Sequence, residues 1–202
     1  MPSPRAANPN PANTATDSRT RHSRERLLGA LFELMCERGY ERLTVQNLLD
    51  RAGIGRATFY AHFDSKDELL ASSVANLRAW LLDERAARPG QRLGFTEAFF
   101  GHVAAHRQLY QMTVVRESEL SVEHKIRAML LELVRADLAQ GRLSRGQHDA
   151  ALALSTQYVV GALWSTLAWW MATPTAWTAA EIHALFLRMT LPGLELGLQA
   201  NV

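Results

Sequence analysis

The stretch 43–68, Leu-Thr-Val-Gln-Asn-Leu-Leu-Asp-Arg-Ala-Gly-Ile-Gly-Arg-Ala-Thr-Phe-Tyr-Ala-His-Phe-Asp-Ser-Lys-Asp-Glu, leaves little choice of local fold. Thr44 suits a helix N-cap, ahead of an inward face of Val45, Leu48 and Leu49. Gly53 stops that helix, because glycine tolerates the left-handed backbone that helix C-termini commonly adopt. Ile54 then fills the angle before a second short helix, which Phe59 and Phe63 anchor at spacing i, i+4. Ser65-Lys66-Asp67-Glu68 reads as an S-x-x-E capping box that opens a third helix. Two short helices joined by a tight turn have one well-attested use, which is to lay the second helix in the major groove of DNA. Gly55, Arg56, Ala57, Thr58, Tyr60 and His62 remain on its unanchored faces, and the small Gly55 and Ala57 permit close backbone approach.

Flanking patterns extend the helical reading. A long helix runs from Ser65 to about Ala87 with Leu69, Leu70, Val74, Leu77 and Leu81 on one stripe. Shorter helices are expected at about 94–106 and 107–116. Another long one is expected at about 118–140, with Val122, Ile126, Met129, Leu130, Leu133, Val134 and Leu138 in phase. Thr178-Ala179-Ala180-Glu181 is a further capping box, opening a last helix with Ile182, Leu185, Phe186 and Met189 in line. Alternating apolar–polar runs are absent, so the chain is expected to be all-α.

The string 43–68 resembles the DNA-binding domain of the tetracycline-repressor (TetR) family. Thr44, Val45, Ala52, Gly53, Thr58, Phe59, Tyr60, His62, Phe63, Ser65, Lys66 and Leu69 stand in register with that family's motif, and Leu27–Tyr40 looks like its first helix. The resemblance covers roughly residues 24–70. Gly55 stands where the family usually has Ser, removing an N-cap, and Leu49 stands where Ala is usual. The resemblance implies an N-terminal three-helix helix-turn-helix domain followed by a helical ligand-binding and dimerisation domain. It also implies a sequence-specific transcriptional regulator, a repressor more than an activator, acting as a homodimer on a palindromic operator in double-stranded DNA. The expected divisions are 1–20, a disordered basic arm; 21–66, the DNA-binding domain; and 67–202, the effector-binding and dimerisation domain.

Roles follow from the same match. Arg56 occupies a frequent base-contacting position, and its fork suits guanine O6 and N7. Gln46 matches a position that reaches a base edge. Thr44, Thr58, Tyr60, His62 and Lys66 match phosphate contacts that fix register, although Thr44 also serves as a cap. Gly55 and Ala57 complete the expected surface. For Tyr60 and His62, simple packing remains the alternative. A small-molecule effector is implied inside the second domain, where Trp80, Phe99, Phe100, His102, His106, Tyr110, Gln157, Tyr158 and Trp164 are candidate walls, each with a plain core role as its alternative.

Residues 150–180 contain no charged residue and no histidine. Ser155, Thr156, Gln157, Ser165 and Thr166 interrupt the run and much of the rest is alanine, so a buried partner-facing helix is expected rather than a membrane span. Val160, Gly161, Trp164, Ala168, Ile182, Phe186 and Met189 are the expected dimer interface, a four-helix arrangement of two helices per subunit.

Charge distribution agrees. Residues 19–66 carry nine Lys and Arg against six Asp and Glu, while 67–202 carry twelve against thirteen. The positive excess lies where phosphates would be neutralised. The single Cys36 gives no disulfide, and the first twenty residues lack an apolar signal run. A bacterial cytoplasm, at the nucleoid, is therefore the expected location. His102 and His106 sit at i, i+4 without an acidic or thiol neighbour, so no metal is expected, and no cofactor. There is no nucleophile–base pair, glycine-rich phosphate loop or carboxylate pair, so no enzyme is expected. Two other classes stay open: an architectural DNA-binding protein of this fold with a filled second domain, and a helical enzyme or metal module in which 43–68 is structural.

Overall fold

The computed structural model describes residues 11–115, 120–139 and 148–199 of the 202. Within them the regular elements are nine helices: α1 (Pro11–Arg38), α2 (Val45–Ala52), α3 (Arg56–Tyr60), α4 (Lys66–Ala86), α5 (Phe95–Ala105), α6 (Arg107–Val115), α7 (Leu120–Leu138), α8 (His148–Ala172) and α9 (Ala179–Gln199). The structure is all-α, as expected.

The helical head forms as its punctuation dictates. Thr44 Oγ1 accepts from the Asn47 amide at 3.2 Å, and Asn47 Oδ1 accepts from the Thr44 amide at 3.1 Å, a reciprocal cap. Gly53 has φ 61°, and a Cβ there would come within 2.6 Å of Arg26 Nη2, which donates to the Gly53 carbonyl. The left-handed backbone is what requires glycine here, since the Arg26 guanidinium, at the end of a flexible side chain, could give way. Leu27, Leu31, Leu48, Phe59, Phe63 and Leu69 close the head core at 2% exposure or less. Gly55 caps α3 with no side-chain bond, which is the cost of the missing Ser.

Two expectations need correction here. The arm 1–20 was expected to lack structure, yet helix begins at Pro11; residues 1–10 lie outside the described residues. Proline at a first helical position loses nothing, since its missing N–H would be unpaired anyway, and the packed segment from Leu27 propagates helix backward. The box at Ser65 is also incomplete. Ser65 Oγ accepts from the Glu68 amide, but the Glu68 carboxylate accepts from Asp64 rather than Ser65. The box at Thr178 forms in full.

Behind the head, α8 packs against α6, α7 and α9, while α5 packs against α9 and α4. By length and composition Ala150–Ala172 is apolar enough to cross a membrane. Here its inward stripe, Val159, Val160, Leu163, Trp164, Leu167, Trp170 and Met171, is core. A polar chain threads this body. Arg85 Nε pairs with Asp137 Oδ1 at 2.9 Å, and Asp137 Oδ2 accepts from the Leu93 amide at 2.9 Å. Thr96 Oγ1 donates to the Leu93 carbonyl and meets His183 Nε2 at 3.0 Å. Leu93 holds φ 56°, an unusual backbone for leucine, and both of its main-chain polar groups are engaged. These contacts fasten the far end of α4 to α7, α5 and α9.

Candidate nucleic-acid interface and effector cavity

Helices α2 and α3 present the predicted polar surface. Thr44, Gln46, Gly55, Arg56, Ala57, Thr58 and Tyr60 are all exposed, and His62 is half-buried. Arg56 Nη2 donates to Gln46 Oε1 at 2.8 Å, and Gln46 Nε2 donates to Asp50 Oδ1 at 2.7 Å. The two residues expected to read bases therefore brace each other. Tyr60 is 49% exposed, with its ring edge-on to Phe59 at 5.3 Å. His62 stands edge-on to Phe63. Both rings have one packed side and one open side. Thr44 uses an oxygen lone pair as the cap and keeps its hydroxyl proton for another acceptor.

Lys66 differs from expectation. Its Nζ donates to the Tyr40 carbonyl at 3.1 Å and the Glu41 carbonyl at 3.4 Å, and lies 4.4 Å from the centre of the Tyr40 ring. Two of three ammonium protons are committed to the α1–α2 connection, leaving one for a phosphate. Tyr40 and Asp67 are also hydrogen-bonded beside it. Lys66 is a structural clamp as well as a surface cation. The clamp was not legible because its acceptors are backbone carbonyls 25 and 26 residues away.

A cavity of about 330 Å3 opens between α1, α4, α5, α6 and α7. Of the predicted walls, Trp80, His102, His106 and Tyr110 line it. Three do not. Phe99 is fully buried core against Tyr110, at 6.1 Å between ring centres. Trp164 is buried beneath the Arg127 guanidinium, and Gln157 is exposed on α8. Phe100 is likewise core, beside Trp170 and Phe186, and Tyr158 is 51% exposed. Sequence reasoning missed the walls from Leu28, Phe32 and Met35 on α1, Leu70, Val74 and Leu77 on α4, and Val122 and Ile126 on α7. The cavity therefore borders the head rather than lying wholly in the second domain. Ser73 and Asn76, breaking the apolar stripe of α4, were the available signal.

His102 stacks on His106 with ring centres 4.3 Å apart. Burial first, and His106 second, push its pKa down to about 4. Burial also raises the Tyr110 phenol. Among the described residues no group of three or more His, Cys, Asp or Glu is placed to hold a metal.

The expected dimer residues divide. Val160, Trp164, Ile182 and Phe186 are buried within the subunit's own core, which corrects their assignment to a surface. Gly161 and Ala168 lie at the margin, half-buried, and Met189 is 69% exposed. The outer face of α8 instead carries Leu154, Tyr158 and Trp169. With no charge between 150 and 180, nothing in the sequence marked which side of α8 faces outward.

Comparisons with known proteins fit this geometry. Residues 27–72 match the bacterial regulatory proteins of the tetR family. The uncharacterized HTH-type transcriptional regulator YvdT of Bacillus subtilis is 31% identical over 64 residues, 32% of this chain and 33% of that protein, so the match spans about a third of that relative's length. The HTH-type transcriptional repressor KstR2 of Mycolicibacterium smegmatis is 22% identical over 89% of this chain and 94% of its own. A TetR transcriptional regulator from Streptococcus agalactiae shares the fold with TM-score 0.66 at 20% identity, covering 88% of this chain and 98% of that one. FadR of Thermus thermophilus, a TetR-family repressor solved with lauroyl-CoA, gives TM-score 0.57 at 22% identity over 85% and 94%. Residues 27–72 thus match the helix-turn-helix segment of the tetR family, and the described chain shares the fold of solved TetR-family regulators.

Proposed function

We propose that this regulator is a ligand-responsive repressor that binds a two-fold symmetric operator as a homodimer. The observation that carries the reading is the exposed pair Gln46–Arg56 at the tip of a rigid head, flanked by Thr44, Thr58 and Tyr60. In this reading residues 21–66 form the head and 67–202 the effector and dimer body. Arg56 reads guanine, Gln46 reads an adjacent base edge, and Thr44, Thr58, Tyr60, His62 and one proton of Lys66 hold phosphates. Gly55 and Ala57 let the backbone approach.

One such head covers only a few base pairs, so two must be held about 34–36 Å apart for a full site. The outer faces of α8 and α9, with Leu154, Tyr158, Trp169 and Met189 exposed, supply apolar surface for that pairing. The cavity supports an effector over the architectural alternative, as does the lauroyl-CoA held by the similar FadR. Effector binding favours a state whose heads no longer match the half-site spacing, and operator affinity falls by the effector's preference between the states.

Selection of duplexes from a random library tests this. An inverted repeat with a guanine at one fixed place in each half-site is expected, lost with Arg56→Ala. Absence of any selected symmetric sequence, with a monomer in sedimentation, would overturn the reading.

A further inference from the structure

Among the described residues, the cavity walls contain no Asp, Glu, Lys or Arg. Most of their surface is hydrocarbon, yet two polar groups in them have no hydrogen-bond partner among the described residues. Tyr110 is 2% exposed and its hydroxyl makes no hydrogen bond with any described residue. His102 stands edge-on to it at 5.8 Å between ring centres, with Trp80 on its other flank at 5.7 Å, and its ring nitrogens also make no hydrogen bond. The remaining polar walls are already satisfied or open to solvent. Ser73 and Thr113 donate to the Leu70 and Leu109 carbonyls, His106 Nδ1 donates to the His102 carbonyl, and Asn76 is exposed.

The Tyr110 phenol is buried as a residue but its hydroxyl opens into the cavity, where it is free to donate to whatever occupies that space. The group that completes this one must offer an oxygen acceptor. It must also suit described walls that hold no Asp, Glu, Lys or Arg, and a His102 ring that stays unprotonated at ordinary pH. A carboxylate or ammonium would lie in an apolar cavity with no opposite charge to meet it. We infer, resting on the effector reading above, that the cavity takes an uncharged, largely hydrocarbon molecule whose one hydroxyl or carbonyl oxygen is held between Tyr110 and His102. Such a molecule touches Leu28, Phe32 and Met35, and so presses directly on α1 of the head as well as on α4.

Calorimetric titration of the full chain with 1-decanol, decanoate and decylamine, matched in chain length and different in charge, tests the inference; 1-naphthol and 1-naphthoate form a second pair. The neutral member of each set is expected to bind at least about tenfold tighter than its ions near neutral pH. Tyr110→Phe keeps the ring, leaves the unliganded protein no less stable, and weakens the neutral probe about tenfold. Tighter binding of either ion, an unchanged affinity in Tyr110→Phe, or failure of both decanol and naphthol to bind would overturn it. Operator affinity is read separately in the same samples. Decanol that binds in a Tyr110-dependent way without altering operator affinity upholds the ligand class while removing the regulatory reading.

Discussion

Arg56 on α3 donates to Gln46 on α2 at 2.8 Å, and Gln46 in turn donates to Asp50 at 2.7 Å. A guanidinium held this way loses fewer rotamers on meeting a base edge than a free one. Arg56→Ala is expected to cost about 1–3 kcal/mol of operator binding and to relax one position per half-site. A double-mutant cycle of Gln46→Ala and Arg56→Ala, read by fluorescence anisotropy on the selected operator, should give a coupling of about 0.5–3 kcal/mol. Strict additivity would mean the brace has no role in recognition.

Lys66 joins surface and scaffold. Its two carbonyl acceptors and the Tyr40 ring predict that Lys66→Ala lowers the thermal midpoint even without DNA. The same change should reduce the salt slope of DNA binding by about one. Lys66→Arg, a forked group in place of a compact one, does not restore the stability. Scanning calorimetry alongside salt titrations separates the two effects.

The Arg85–Asp137 pair is buried, with side chains 13% and 6% exposed. Removing one member of such a pair leaves the other without its counter-charge. Asp137→Ala is expected to destabilise by about 3–5 kcal/mol in urea unfolding. It also frees the Leu93 amide. A loss well under one kcal/mol would mean water replaces the carboxylate.

His102 gives a pH dependence with a definite sign. Its folded pKa of about 4 lies below the ordinary 6.5, so the folded chain resists a proton that the unfolded chain accepts. Stability from this group is full above pH 6.5 and drains away as pH falls toward 4. Between those limits the wild type should lose more stability than His102→Gln, measured by urea unfolding at several pH values. His183, which burial also depresses, contributes equally to both proteins and cancels in the difference.

The outer face of α8 offers a test of assembly. Tyr158→Glu and Trp169→Glu place charge on exposed positions of this outer face. They are expected to yield folded monomers in sedimentation and a large loss of operator affinity, because the half-sites are then bound one at a time.

The fold was legible wherever punctuation and periodicity agreed. Thr44, Gly53 and Thr178 each mark a helix end with a side chain or backbone requirement that acts locally, and each does so in the structure. The stripe of α7, Val122 to Leu138, is buried as its spacing predicts. Legibility ended where facing depends on distant elements. On α8 every side is apolar or small, so the inward turn of Val160 and Trp164 and the outward turn of Tyr158 and Trp169 are set by α6, α7 and α9. Likewise the aromatic residues of α5 look alike in sequence. Only packing sends Phe99 and Phe100 into the core and His102 to the cavity.

Helix α1 supplies Leu27 and Leu31 to the core of the head and Leu28, Phe32 and Met35 to the wall of the cavity, from neighbouring positions on a single rod. In the proposed reading, specificity for a small molecule and grip on the operator are thereby inherited together. A lineage that alters Leu28 or Phe32 to accept a new inducer shifts the seat of its recognition helix in the same step.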